Sequence, residues 1–162
     1  MQGNCHERMG VPRGRTSSRA PFFYGRGMDR EAARITIFFC QQVDSEQDIN
    51  RRAIERELRD RIRFFPLPCS GRIDTLQLLR AIEAGADIVY LVTCSRGACR
   101  YREGNIRAWK RSAYARRLIE EIGLEGERLE VIQANERQTI DEITRSLLAR
   151  DIHVGSSPLR AK

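Results

Sequence analysis

Ile88-Val89-Tyr90-Leu91-Val92-Thr93, followed at once by Cys94-Ser95-Arg96-Gly97-Ala98-Cys99, is the stretch from which the rest of the chain can be understood. An apolar and β-branched run with no polar alternation indicates a strand covered on both faces, as the strands of parallel sheets are. It stops at a Gly-containing loop that carries two thiols, and a helical pattern begins near Asn105. A buried strand that passes through a loop into a helix is half of a βαβ unit.

The same grammar recurs on either side. Upstream, Ile35-Thr36-Ile37-Phe38-Phe39-Cys40 predicts a first buried strand, and Ser45 to Arg59 a helix with Ile49, Ala53, Ile54 and Leu58 on one face and Ser45 with Asp48 at its start. Ile62 to Leu67 predicts a second strand, stopped by Pro68 and followed by Cys69, Ser70 and Gly71. Ile73, Leu76, Leu79 and Ile82 form a helical stripe that ends at Gly85. Downstream, Asn105 to Ile122 predicts a long helix with Ile106, Trp109, Ala113, Leu118 and Ile122 as its apolar positions and Gly123 as its stop. Leu129 to Ala134 predicts a fourth strand, and about Glu136 to Arg150 a last helix, with Thr139 and Glu142 as a capping box ahead of Ile143 and Leu147. Four strand-then-helix units predict an α/β fold: a four-stranded, mainly parallel sheet with flanking helices on both faces, Rossmann- or flavodoxin-like.

A chain of 162 residues, 41% hydrophobic, holds one ordinary core, expected over residues 34–152. Residues 1–33 carry Gly3, Gly10, Gly14, Gly25, Gly27, Pro12 and Pro21 without an apolar period, which predicts an extended basic arm. Its Phe22-Phe23-Tyr24 cluster is expected to dock on a partner or on the domain itself. Residues 153–162, around Ser156 and Pro158, are expected to form a loose tail. The net charge of +7 is concentrated, since residues 1–34 hold seven Arg against three acidic residues. The remainder mixes Arg and Glu as a solvated surface does, so no nucleic-acid partner is expected. No apolar run nears the roughly 18 residues that cross a bilayer, and no signal-peptide core is present, so the expectation is a cytoplasmic protein without membrane insertion. In that compartment the five cysteines point to metal or redox chemistry rather than to disulfides.

In a parallel α/β sheet, ligands bind beyond the carboxyl ends of the strands. Cys40, Cys69 and Cys94 each fall at such an end, and Cys99 shares the loop of the third, so four thiols gather at one edge. Any one of them could be a small buried filler; four in one place suggest a soft ligand set, for which zinc and iron-sulfur clusters are the usual occupants. With no C-x-x-C pair and a fold that needs no metal, iron-sulfur is favoured and zinc is the minor alternative. Cys5, beside His6 in the arm, is the odd thiol. Arg72, Arg96 and Arg100 are candidates for stabilising a reduced, more anionic cluster; at about 7 Å and an effective dielectric of about 20 each contributes about 2 kcal/mol, or roughly 100 mV, before screening. Arg102 is expected to face solvent. No catalytic residue is expected: His6 and His153 lie away from the strand-end loops, and no phosphate loop or paired carboxylate motif occurs.

Cys69-Ser70-Gly71-Arg72-Ile73-Asp74, Glu83-Ala84-Gly85-Ala86-Asp87, the run from Cys94 to Asn105 (C-S-R-G-A-C-R-Y-R-E-G-N), and the turn from Leu118 to Glu125 together resemble the delta subunit of methyl-viologen-reducing hydrogenase, over about Ile35 to Leu148. The resemblance implies a small [2Fe-2S] protein that passes electrons between a hydrogenase or other oxidoreductase subunit and a heterodisulfide-reductase-A-like flavoprotein in anaerobes, within a hetero-oligomer that in some cases performs electron bifurcation. Here Cys40, Cys69, Cys94 and Cys99 would be the cluster ligands. One departure stands out. The family usually has a C-x-x-C pair after the first strand, where this chain has Cys40-Gln41-Gln42-Val43. Two outcomes stay open: a cluster held by the four remaining thiols, which is the expectation, or a cluster-free structural adaptor of the same kind of complex.

Overall fold

The computed structural model describes residues 33–43, 49–150 and 154–159. Nearly all of the expected arm, the Ser45 and Asp48 cap, and His153 lie outside these residues. Within them the chain runs β1 (Ile35–Cys40), α1 (Ile49–Leu58), β2 (Ile62–Leu67), α2 (Thr75–Glu83), β3 (Ile88–Thr93), α3 (Gly104–Glu121), β4 (Leu129–Gln133) and α4 (Ile140–Leu148). The strands form one parallel sheet in the order β2-β1-β3-β4. The α/β expectation holds, and the sheet is wholly parallel.

Strand position explains strand composition. β1 and β3 are central and buried at every residue, hence their unbroken apolar runs. β2 is an edge strand, and Ile62 and Phe64 are buried while Arg63 and Phe65 are exposed. Alternate residues of the central strands supply two core layers. Ile37, Phe39, Tyr90 and Val92 pack with Ile54 of α1 and Ile143 and Leu147 of α4. Phe38, Val89 and Leu91 pack on the other face with Leu78 and Ile82 of α2 and Ala108, Ala115 and Ile119 of α3. Each fully buried Ile, Leu or Phe contributes about 1.5–3 kcal/mol.

Two helices depart from their apolar stripes, α2 at one position. Ile73, Leu79 and Ile82 pack on the core as expected, but Leu78 is buried and Leu76 is exposed. In α3 the buried residues are Ala108, Ser112, Ala115 and Ile119, while Ile106 and Trp109 are each 51% exposed and Ala113 and Ile122 face outward. The reason is space: the first turns of α3 pack against α2 and against the turn at Ser70–Arg72, so small residues occupy the inner face from Ala108 to Ala115 and Ile119 follows only further along. α4 starts later than expected, at its capping box, where the Thr139 N–H donates to Glu142 Oε2 at 3.1 Å.

The C-terminal segment is not loose where it is described. Val154 packs on the first core layer, and Ser157 is buried with its N–H donating to Asp87 Oδ1 at 2.5 Å. The other oxygen of Asp87 accepts the Arg34 N–H at 2.7 Å, so one buried carboxylate joins the start of β1, the start of β3 and the end of the chain. Among the described residues, no helix is long and apolar enough to cross a membrane.

Candidate metal or redox centre: four thiols at the switch point

The chain crosses from β2 back over β1 to β3, so the strand order reverses between β1 and β3, the place where parallel α/β sheets bind ligands. Phe39 lies opposite Val92, which brings Cys40 and Cys94 off the sheet side by side. Cys40 lies opposite Leu67, which sets Cys69 two residues beyond the neighbouring strand. Cys40, Cys69 and Cys94 are buried and Cys99 is half-buried, and none forms a disulfide. The structure brings all four together. The Cys94 thiol lies beside those of Cys40 and Cys99, and the Cys69 thiol beside that of Cys99. In this arrangement no group of three or more His, Cys, Asp or Glu side chains among the described residues surrounds a point suited to one metal ion.

Cys40 ends β1, and two loops hold the other three thiols. The Cys69 loop closes as a tight turn, with the Arg72 N–H on the Cys69 carbonyl at 2.9 Å, and the Gly71 N–H points at the Cys69 sulfur. The Cys94 loop turns through Gly97 at φ +87°, and Arg102, at φ +61°, returns its N–H to the Cys99 carbonyl at 3.0 Å. Arg102 is thus a non-glycine residue in the left-handed region, a conformation that costs of order 1 kcal/mol. That turn delivers the N–H groups of Tyr101, Gly104 and Asn105 to the Cys99 sulfur; the last two are otherwise unpaired donors of the first turn of α3. Gly71 and Gly104 meet backbone to backbone: a Cβ on Gly71 would lie 2.6 Å from the Gly104 Cα. A Cβ on Gly104 would run into the Cys69 sulfur and sit 3.0 Å from that of Cys99. Arg111 of α3 clamps the assembly by donating to the Gly71 and Ile73 carbonyls at 2.7 and 2.8 Å.

The environments push the thiols apart. Burial raises the Cys94 pKa to about 12, with the adjacent Cys40 and Cys99 adding to the effect. Burial also raises Cys69, against the opposing Gly71 N–H. For Cys99, burial is outweighed by the N–H donors of Tyr101, Asn105 and Gly104, and its pKa falls below the ordinary thiol value. The loop therefore favours negative charge on the sulfur nearest the surface.

Comparison with known proteins identifies the family. A profile of the methyl-viologen-reducing hydrogenase delta subunit matches residues 35–152. The chain belongs to this family. It is 34% identical over 103 residues, 62% of this chain and 77% of the relative, to the iron-sulfur subunit of the vhu F420-non-reducing hydrogenase of Methanocaldococcus jannaschii. It is 36% identical over 84 residues, 51% of this chain and 61% of the relative, to the F420-non-reducing hydrogenase iron-sulfur subunit of Archaeoglobus profundus. A segment of the ferredoxin:CoB-CoM heterodisulfide reductase of Methanosarcina mazei, in its A-type polypeptide, is 38% identical over 71 residues, covering 44% of this chain and 9% of that larger protein.

For a member of the delta-subunit family the donor set is chemically suited to a thiolate-ligated group: four thiols, backbone N–H groups aimed at two of the sulfurs, and a glycine cradle that leaves the sulfurs room. Ser70 adds a hydroxyl that is fully buried beside Cys69 and has no partner. Val43, the position where the sequence reading expects a family cysteine, packs on the first core layer, and its N–H closes a turn onto the Cys40 carbonyl at 2.9 Å. Of the candidate arginines, Arg72 shares a cleft of about 310 Å³ with Cys69, Tyr101, Gly104 and Arg107. Arg96 lines a groove with Asn105 and Trp109, and Arg100 sits on the loop. All three are exposed, so solvent screens each well below the about 2 kcal/mol of an unscreened charge. Sequence reasoning missed Gly104 and Arg111. Gly104 carried a signal, a glycine opening a helix one residue after Glu103; Arg111 carried none among the other arginines of α3.

Proposed function

We propose that this chain is an electron-transfer subunit in which Cys40, Cys69, Cys94 and Cys99 hold a [2Fe-2S] cluster. One observation carries the proposal: four thiols from three strand ends meet at the switch point with backbone donors already aimed at the sulfurs. A bound cluster would supply one-electron chemistry. The chain's own part is to hold four sulfurs at three strand ends, to donate N–H groups that favour the more negative state, and to bury three of the thiols away from water while Cys99 stays near the surface.

Its partners follow from the company its relatives keep. An iron-sulfur subunit of a hydrogenase and a segment of a heterodisulfide reductase are similar to this chain over 103 and 71 residues, which supports a place in a hetero-oligomer between a hydrogenase-like oxidoreductase and a heterodisulfide-reductase-A-like flavoprotein. The test is anaerobic purification with iron, acid-labile sulfide and zinc analysis and an EPR spectrum of the reduced protein. Brown protein with about two irons per chain is expected. Colourless, iron-free protein from anaerobic expression with intact iron-sulfur assembly would sink the proposal.

Val43 favours a second reading, a structural adaptor that keeps the fold and has no cluster. It requires Cys94→Ser to leave both complex assembly and electron transfer intact, whereas the leading reading requires loss of transfer.

A further inference from the structure

The outward turn of α3 places its bulky side chains beside the thiol site instead of in the core. Tyr101 is 59% exposed, and Ile106 and Trp109 are 51% exposed, all within ten residues of Cys99. Around them the exposed side chains are mostly cationic: Arg72, Arg96, Arg100, Arg102, Arg107 and Lys110, against Glu103, which pairs with Arg107 at 3.7 Å, and Glu127 and Glu130 in the groove on the other side of Trp109. A cleft that contains Cys69 opens among Arg72, Tyr101 and Arg107, and a second groove runs from Arg96 past Ile106 to Trp109. Apolar anchors within a rim in which cations predominate, around the most accessible of four thiols, have the anatomy of a protein interface rather than of a solvated helix face.

We infer that the surface built from Tyr101, Ile106 and Trp109 and rimmed by Arg72, Arg96 and Arg107 docks a partner protein through an acidic face that receives Trp109 as its central anchor. The inference rests on the reading above, in which the partner exchanges electrons with this site, and it names the face through which it does so. Charge complementarity selects the partner's chemistry: an excess of cations favours a carboxylate-rich surface and speeds encounter at low salt. A single-stranded nucleic acid also uses cations and aromatics, but it follows a groove with successive stacking platforms. Here Ile106 is aliphatic and Trp109 stands on an outward helix face.

The test measures binding of the full chain, purified anaerobically, to the purified heterodisulfide-reductase-A-like protein of the same organism at low and high salt, with iron content recorded for every variant. Trp109→Ala is expected to weaken binding about tenfold or more, as is the double variant Arg96→Glu/Arg107→Glu, with iron content unchanged. Wild-type binding is expected to weaken with salt. Arg137→Glu/Arg145→Glu, a control just before α4 and along it, is expected to stay within about twofold. The proposal is overturned if the first two variants bind within about twofold of wild type, or if the control weakens binding as much. It is also overturned if a 30-nucleotide single strand binds more tightly than the protein. Wild-type protein that does not bind at all overturns the partner reading, and this surface with it.

Discussion

Gly104→Ala isolates the role of the thiol cradle, because it is a substitution that secondary structure alone would welcome. Gly104 opens α3, and its backbone is not in the left-handed region, so nothing local forbids a side chain. In a free helix the change would be neutral or would gain up to about 1 kcal/mol. The obstacle is the site itself: the added Cβ overlaps the Cys69 sulfur and approaches the Cys99 sulfur to 3.0 Å and the Gly71 nitrogen to 3.7 Å. Neither sulfur has a slack route away, since Cys69 is buried and its loop is tied to α3 by Arg111. Overpacking of this kind costs about 1–3 kcal/mol, so against a helix gain of up to about 1 kcal/mol the net expected loss lies between about 0 and 3 kcal/mol, centred on about 1–2 kcal/mol. For a domain of this size that lowers the melting temperature by about 3–10 °C. The assay is thermal unfolding of metal-free reduced protein, alongside iron content after anaerobic expression, which should fall well below wild type. Gly155→Ala serves as control, because a Cβ there meets nothing within 4 Å, and it should leave both readings unchanged. Wild-type stability together with full iron content in Gly104→Ala would refute the cradle and, with it, the closeness of Cys69 and Cys99.

Asp87→Ala removes the acceptor of the half-buried Arg34 N–H and the buried Ser157 N–H and should cost about 2–5 kcal/mol, read by urea unfolding, with no change in the spectrum of any surviving folded protein. Arg111→Leu leaves the Gly71 and Ile73 carbonyls without their charged donor; it should cost about 1–2 kcal/mol and release iron to a chelator faster than wild type. In metal-free protein at about pH 8, iodoacetamide should alkylate Cys99 first and Cys94 last. The lowered pKa of Cys99 enlarges its thiolate fraction, whereas a pKa of about 12 leaves Cys94 roughly one part in ten thousand ionised. Mass mapping that finds Cys94 ahead of Cys99 would contradict the donor geometry at the Cys99 loop.

The sheet was legible because parallel strands announce themselves: Ile35–Cys40 and Ile88–Thr93 are buried on both faces, and their unbroken apolar runs have the observed boundaries. The thiol cluster was legible by the same route, since strand ends in such a sheet converge whatever lies between them. The helix faces were not. A stripe of large apolar residues normally marks the buried side, but α3 lies too close to its neighbours for bulk, and Ala108, Ser112 and Ala115 carry the contact. Periodicity weights Trp109 above Ala108; packing distance decides the opposite, and no single-sequence pattern contains that distance. The tail failed for a related reason. Ser156 and Pro158 are turn formers, and the buried Asp87 that captures Ser157 is 70 residues away in sequence.

Val43 is where the two readings of the site part, and its surroundings bear on how the question should be put. The side chain packs on the α1 and α4 core layer, while its N–H and the Cys40 carbonyl close the turn that follows β1. Cys40 leaves the same turn toward Cys94. The turn thus serves the core on one side and the thiols on the other, and a valine at this position fills core volume without removing any of the four sulfurs already in contact. Val43→Cys is therefore expected to leave iron stoichiometry and the reduced EPR spectrum unchanged, whereas Cys40→Ser abolishes both. A gain of iron in Val43→Cys would mean that the wild-type site lacks a ligand, and that the adaptor reading describes the native protein.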